Sequence, residues 1–144
     1  MMDNYRLPES TKVLSSNRPQ SYSAGSAANG TAVNTAGFRN ATLTVQVGDI
    51  TTGSLVDVKV QESADGSTGW TDVTGAAIVQ LSGDGGDNAI ARLDLNLQSR
   101  KQYLRSVLTP TTSAVIAATT FTLYRPDGMV ANYPIGQAIT PIYV

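Results

Sequence analysis

Four carboxylates along one stretch of the chain, residues 57–72, are the first residues that could perform chemistry. A pair of carboxylic acids can hydrolyse a glycosidic bond when one acts as an acid and the other, at a set separation, as a base or nucleophile. However, Asp57 falls on the outward side of a predicted strand, Asp65 lies in a predicted turn, and Asp72 stands beside Trp70. With Glu62, these residues are therefore predicted to be solvated or to cap turns, which are better supported roles than a catalytic pair.

A glycine-rich segment, 82–88, superficially resembles a calcium-binding loop. Its oxygen ligands would be Asp84, Asp87 and Asn88. An EF-hand loop needs ligands at positions one, three and five, a downstream glutamate and flanking helices, and this segment has none of these. We predict a solvated hairpin turn at this segment, and neither a metal site nor a cofactor site in the chain.

The chain contains no cysteine and no histidine. The absence of cysteine excludes disulfides, thiolate zinc sites and thiol catalysis. The absence of histidine excludes Ser-His-Asp triads and Cys-His dyads, and it removes the commonest general base. An enzyme would have to rely on paired carboxylates, lysine or tyrosine, and we predict that the protein is not an enzyme.

Ten basic and eleven acidic residues are dispersed along the 144-residue chain, giving a formal net charge of −1. Nucleic-acid binding draws much of its affinity from clustered Lys and Arg, so no nucleic-acid partner is predicted. No apolar run approaches the ~20 residues needed to span a bilayer, and the N-terminus lacks a basic region followed by an apolar stretch. No membrane partner is predicted either.

The segment 56–73 reads as a β-hairpin. Val56, Val58 and Val60 alternate with polar residues, the period of two that gives a strand one buried face and one solvated face. Asp65-Gly66 supplies a turn, because Asp can bond its own backbone and Gly tolerates positive φ. Trp70 on the return strand could stack a sugar ring, but core or core-edge packing is the favoured role for a lone Trp beside a turn.

Short alternating segments separated by turns occupy most of the chain, and we predict an all-β fold, an antiparallel β-sandwich. A jelly roll is favoured over an immunoglobulin-like sandwich, although periodicity alone does not distinguish their strand orders. Two further hairpins are predicted, one joining 39–47 to 55–62 and one joining 76–82 to 89–97. The other predicted strands are 11–15, 21–24, 31–35, 101–108 and 114–124.

The predicted sandwich domain spans 10–125 and is flanked by an N-terminal arm, 1–9, and an extended C-terminal arm, 126–144. The C-terminal arm is apolar and interrupted by prolines, so it either folds back over the sandwich or lies on another subunit. Apolar and aromatic side chains of both arms are the predicted partner-binding residues: Tyr5, Leu7, Met129, Val130, Tyr133, Ile135, Ile139, Ile142 and Tyr143.

The run VKVQESADGSTGWTDV, residues 58–73, resembles a hairpin found in small virion proteins of tailed bacteriophages, and above all in capsid cement, or decoration, proteins. The resemblance implies a jelly-roll or related β-sandwich that binds the outer surface of the phage head and stabilises capsomer contacts. It implies the major capsid protein and further copies of the chain, as a homodimer or homotrimer, as partners. The protein would be made in the host cytoplasm and located on the virion.

Three alternatives stay open at this point. A tail, neck or fibre-associated structural protein could carry the same hairpin, because the pattern is not confined to heads. A carbohydrate-binding β-sandwich module would use Trp70 and the tyrosines as an exposed platform. An enzyme acting on capsule polysaccharides would depend on Glu62 and Asp72.

Overall fold

A computed structural model describes residues 10–127, and within this range the chain forms ten β-strands. No helix in that part of the chain is long and apolar enough to cross a membrane. The strands are β1 Thr11–Ser15, β2 Gln20–Tyr22, β3 Ala28–Asn29, β4 Val33–Asn34, β5 Phe38–Val47, β6 Leu55–Ser63, β7 Thr71–Ser82, β8 Ile90–Asn96, β9 Tyr103–Pro110 and β10 Val115–Pro126.

The strands form two antiparallel sheets packed against each other, which confirms the predicted β-sandwich. The first sheet has the order β1-β10-β5-β8, with β2 beside the other end of β10. The second has the order β3-β9-β6-β7, with β4 also beside β9. Counting β1 with β2 and β3 with β4 as two broken strands, successive strands lie in opposite sheets except for β6 and β7, and the two sheets have the strand order of a jelly roll.

Two of the predicted hairpins are wrong. Strand β5 belongs to the first sheet and β6 to the second, and likewise β7 and β8 belong to different sheets. The loops after β5 and after β7 therefore cross from one sheet to the other. Alternation identifies which face of a strand is buried, but two packed sheets present the same pattern, so it does not identify the partner strand.

The hairpin predicted at 56–73 is confirmed as the pair β6 and β7. Its return strand is longer than predicted, because the segment predicted separately at 76–82 continues the same strand. Lys59 pairs with Ala77 and Gln61 with Asp72, so β7 carries extra residues between these pairs. Gly75 lies in this bulge with φ +78°, a conformation that favours glycine.

The two inner faces supply the core. Alternate residues of the long strands are almost completely buried, among them Leu43, Val45, Val58, Val60 and Phe121. Burying each of these side chains contributes roughly 1.5–3 kcal/mol. Their outward neighbours are mainly polar, as the sequence pattern predicts.

A buried polar network joins the sheets at the loop after β1. Asn17 is 3% exposed, and its Oδ1 lies 2.6 Å from the Ser106 hydroxyl oxygen and 3.0 Å from that of Thr119. The Asn17 side-chain amide donates to the Ala28 carbonyl at 3.1 Å, and its backbone N–H donates to Thr119 Oγ1 at 2.8 Å. Since no buried side-chain polar atom in the described range lacks a partner, the network is fully satisfied.

Smaller differences affect the first strands. The strand predicted at 21–24 is Gln20–Tyr22, and the one predicted at 31–35 is only Val33–Asn34, preceded by the separate two-residue strand Ala28–Asn29. Both short strands lie along β9, and between them the Gly30 N–H donates to the Ser106 carbonyl of β9 at 2.8 Å. Local propensity in this Ser, Asn and Gly-rich region is weak, so tertiary pairing decides where each strand begins and ends.

Candidate interaction surfaces

The predicted partner-binding residues fall on the two terminal segments, 1–9 and 128–144, which lie outside the described residues. The two predicted arms, 1–9 and 126–144, therefore also lie outside the described residues, apart from Pro126 and Asp127. Strand β10 extends through Pro126, and the Asp127 N–H donates to the Gly37 carbonyl at 2.8 Å. Arg39 forms an ion pair with Asp127 next to this contact. Pro126 and Asp127, which the sequence assigns to the C-terminal arm, thus contact the described sandwich.

The carboxylates considered as catalytic candidates each have separate structural partners. Asp57 accepts a hydrogen bond from Gln80 at 2.9 Å. Asp72 accepts one from Lys59 at 2.8 Å and one from Gln61 at 2.7 Å. These bonds, that from Lys59 above all, lower the pKa of Asp72, which favours an ionised surface carboxylate over a proton donor.

Glu62 binds the backbone of the loop that precedes β9. Its carboxylate accepts a hydrogen bond from the Lys101 backbone N–H at 3.1 Å, and the Arg100 guanidinium lies 3.8 Å away. The side chain is largely buried, with 13% of its surface exposed. Glu62 therefore acts as a loop cap at the end of the second sheet, which accounts for its burial without a catalytic role.

Asp65 caps the turn of the β6–β7 hairpin, as predicted. Its carboxylate accepts hydrogen bonds from the backbone N–H groups of Ser67 and Thr68, both at 2.8 Å, and from the Thr68 hydroxyl at 2.6 Å. The Ser63 hydroxyl lies 3.0 Å from the same carboxylate. The hydroxyl of Thr68, followed by the two backbone N–H groups and Ser63, holds the pKa of Asp65 far below its ordinary value.

This turn predicts a stability change at acid pH. Because the pKa of Asp65 is lower in the folded chain, its contribution is present above the unfolded-state pKa and is lost as the pH falls below about 4. We expect Asp65→Asn to be less stable than wild type at neutral pH, and the difference in Tm to shrink progressively below about pH 4.

Thr68→Val is the matched variant for this prediction, since it removes one hydroxyl bond to Asp65 but retains both backbone bonds. An NMR titration of the Asp65 carboxyl carbon should show a pKa that is closer to the ordinary value in Thr68→Val than in wild type. Equal carboxyl titration curves in the two proteins, or a Tm difference for Asp65→Asn that is constant with pH, would contradict the capping role.

The segment predicted as a solvated turn, 82–88, connects β7 to β8. Gly86 N–H donates to the Ser82 carbonyl at 2.7 Å, and Asn88 N–H donates to the Gly48 carbonyl at 2.8 Å. Asn88 has φ 51°, in the left-handed region that Asn tolerates. Across the described part of the chain, no group of three or more acidic residues could hold a metal ion.

Trp70 lies half-buried at the edge of the second sheet, which agrees with the predicted core-edge position. The guanidinium of Arg105, on β9, stacks over its ring with the carbon 4.3 Å from the ring centroid. Two nitrogens of the same guanidinium donate to Gln61 Oε1, at 3.0 and 2.7 Å. Arg105 on β9 therefore contacts β6 and the residue just before β7, and it covers one face of the indole ring.

The outer face of the first sheet is a surface that sequence reasoning missed. Thr42 and Thr44 on β5 lie directly opposite Thr122 and Thr120 on β10. We call this surface the threonine face; it comprises these four residues and the exposed apolar side chains around them. Those side chains are Val13 at 59%, Ile90 at 68% and Ile116 at 63% exposure.

Charge is scarce on the threonine face. Arg92 and Asp94 project from its edge strand, β8, and form an ion pair with each other at 2.9 Å. Asp94 also accepts a hydrogen bond from Thr42 at 2.7 Å. Next to Ile116, an open depression of about 410 Å³ is lined by mainly apolar groups, including Pro19. The apolar and threonine residues at the outward positions 116, 118, 120 and 122 could have indicated an exposed face on β10. The sheet order was needed to show which residues of β1, β5 and β8 lie beside them.

Comparisons with known proteins identify no family for this chain. No protein-family model matches it, and no curated protein does. A solved structure described as "Bacillus endospore appendages form a novel family of disulfide-linked pili" superposes with a TM-score of 0.45 and 16% sequence identity. The superposition covers 88% of this chain and 100% of that one.

Proposed function

We propose that this chain is a structural virion protein without catalytic activity, a capsid cement or decoration protein. It binds the outer surface of a tailed-phage head and stabilises the contacts between capsomers. The observation that carries the proposal is the jelly-roll strand order, built around the β6–β7 hairpin whose residues 58–73 resemble cement proteins. Jelly rolls are frequent among viral capsid proteins, although they also occur in lectins and cupins.

The surface chemistry supports a binding role over a catalytic one. The candidate carboxylates of the hairpin are each engaged in turn, strand or loop contacts. A sheet face rich in threonine and exposed aliphatic side chains lies opposite the core. Low charge with scattered apolar groups suits an interface of many weak contacts.

The proposed partners are the major capsid protein and other copies of this chain, arranged as a homodimer or homotrimer. A rigid sandwich that contacts more than one neighbour strengthens a thin shell because each copy must be released at several contacts together. The predicted partner-binding residues of the terminal segments would supply part of this contact. Thr11 on β1 pairs with Tyr124 on β10, so the two segments attach to the sandwich at neighbouring points of the first sheet.

The proposal is tested by purifying phage particles and measuring the amount of this protein against the major capsid protein. We expect comparable molar amounts, removal of the protein from the head under mild denaturation, and rebinding of the purified full-length chain to the stripped heads. Rebound heads should release DNA at a higher temperature than stripped heads.

A few copies per particle, located by electron microscopy at the tail, neck or fibres, would contradict the head assignment. Glycan binding that is lost in a folded Trp70→Ala variant would instead favour a carbohydrate-binding module. The stacking of Arg105 on Trp70 leaves less of the indole for a sugar, so we expect no such binding.

A further inference from the structure

Strand β8 forms an open edge of the first sheet. Among residues 10–127 it pairs with β5 alone, and the pairs run from Asn40 and Asn96 to Gln46 and Ile90 without a register shift. The outer side of an edge strand carries backbone N–H and C=O groups that can pair with a further strand. The described sandwich therefore presents a regular strand edge along β8.

The other edges of the described sandwich are interrupted. On its far side, the first sheet ends in two separate strands, β1 and β2, with Pro19 between them. The second sheet ends on one side in the two-residue strands β3 and β4, and on the other in β7, whose pairing with β6 is broken by register shifts. Short strands, prolines and bulges hinder edge-to-edge pairing, so β8 is the described edge best suited to it.

Two backbone hydrogen bonds that flank β8 show which of its residues face the open side. Val47 N–H donates to the Ala89 carbonyl at 3.0 Å, and Leu97 N–H donates to the Arg39 carbonyl at 2.8 Å. In an antiparallel ladder, residues that bond one neighbour alternate with residues whose N–H and C=O groups point away from it. The residues that direct these groups toward the open side are therefore Ile90, Arg92, Asp94 and Asn96.

The charges on these residues are self-complementary. The side chains of Arg92 and Asp94 are 69% and 50% exposed. When two copies of β8 run antiparallel about a two-fold axis at Leu93, Arg92 of each copy lies opposite Asp94 of the other. Moving the axis to residue 92 or 94 places like charges opposite each other, which is unfavourable. The axis at Leu93 also pairs residues whose backbone groups both face the open side, so charge and backbone select the same register.

We propose that two copies of this chain form a homodimer by pairing the open edges of β8. The two first sheets join into one continuous sheet across the two-fold axis, with both threonine faces on the same side. The inference names the surface for the self-association included in the proposed function. It concerns the purified protein without phage heads, so the dimer and the head assignment can each fail without the other.

The space beside β8 suits a second copy. An open groove of about 340 Å³ lies between β8 and the bulged part of β7, where Thr74, Gly75 and Ala76 line it. These side chains are small, so the groove gives access to Leu93, which is only partly buried against the core. Pairing about the axis brings the two copies of Leu93 together and buries more of their apolar surface.

Charge reversal on β8 tests this register in the purified full-length chain. We expect sedimentation over a concentration series to show a wild-type dimer, and Arg92→Asp and Asp94→Arg each to weaken dimerisation about tenfold, because either change places like charges opposite each other twice. An equimolar mixture of the two variants should recover the wild-type association. In that mixed dimer, every opposed pair again carries opposite charges.

Lys59→Asp is the matched control, since it reverses one charge of an exposed ion pair with Asp72 on the second sheet. Circular dichroism checks that all variants are folded, and we expect this control to dimerise like wild type. A monomeric or trimeric wild type would overturn the proposal, because a two-fold pairing closes at two copies. Unchanged dimerisation of both β8 variants, or a mixture that stays monomeric, would place the interface elsewhere and overturn it as well.

The absence of native cysteine allows a second measurement, by disulfide formation. Leu93→Cys places two thiols across the axis in a non-hydrogen-bonded pair, whose Cα separation of about 4.5 Å lies within the disulfide range. We expect this variant to form covalent dimers under mild oxidation faster than Val79→Cys, although Val79, on β7, is 87% exposed. A rate no higher than that of Val79→Cys would contradict an axis at Leu93.

Discussion

Asn17→Ala is expected to lower the free energy of unfolding by about 3 kcal/mol and the Tm by roughly 10 °C. The substitution removes the acceptor that lies 2.6 Å from the Ser106 hydroxyl and 3.0 Å from the Thr119 hydroxyl. It also leaves the Ala28 carbonyl without its side-chain donor. Each buried polar group that loses its partner costs about 1–3 kcal/mol. The hydroxyl oxygens of Ser106 and Thr119 already lie 2.6 Å apart, so their mutual bond offsets only part of this cost.

Thermal and urea unfolding of the purified protein measure this effect. The control is Asn34→Ala, which makes the same substitution at an exposed side chain bonded to Ala36 N–H and Gln102. Its cost should stay below about 1 kcal/mol, since water replaces the lost partners. If the two variants lose the same stability, the buried network does not contribute as its geometry indicates.

Gly30→Ala is expected to destabilise the protein by a similar amount, about 3 kcal/mol. A Cβ atom at residue 30 would lie 2.1 Å from Ser16 Oγ, 2.9 Å from the Ser106 carbonyl oxygen and 3.0 Å from Asn17 Oδ1. Ser16 cannot simply rotate away, because its hydroxyl bonds the Thr31 carbonyl and the Ser106 N–H, both at 3.1 Å. One methyl group therefore disturbs both the packing and the hydrogen bonds of the loop.

Gly48→Ala is the matched control for this substitution. Its added Cβ would meet atoms of Ile116 at 3.5 and 3.6 Å, which is ordinary van der Waals contact. We expect a change within about 0.5 kcal/mol, measured by the same unfolding curves. A Gly30→Ala variant as stable as Gly48→Ala would show that the loop after β1 adjusts at little cost.

The two most sensitive sites lie in a region whose sequence predicts only irregular or edge structure. Asn17 stands in a Ser, Asn and Pro-rich passage that is typical of a solvated loop. Thr119 occupies an inward position of β10, where alternation predicts burial but not a partner. The bond between the Asn17 N–H and Thr119 Oγ1 joins residues 102 positions apart, so no local pattern could have indicated it.

Strand pairing is likewise predictable only where the contacting residues lie close together in sequence. The 56–73 hairpin was predictable because a short Asp-Gly turn joins its strands, and the turn chemistry acts over a few residues. The pairings of 39–47 with 55–62 and of 76–82 with 89–97 were predicted on the same reasoning and are wrong. In each case, two strands that are neighbours in sequence bury their apolar faces against each other across the core and do not share a ladder.

The all-β class, the buried and solvated sides of the long strands and the capped turn at Asp65 could be predicted from the sequence, because they depend on alternation and on contacts within a few residues. The jelly-roll order, the network around Asn17, the stacking of Arg105 on Trp70 and the threonine face became visible only in the folded chain. Each of these brings together strands that are distant in sequence, and the side-chain pattern of a strand specifies which face is buried without specifying its neighbour.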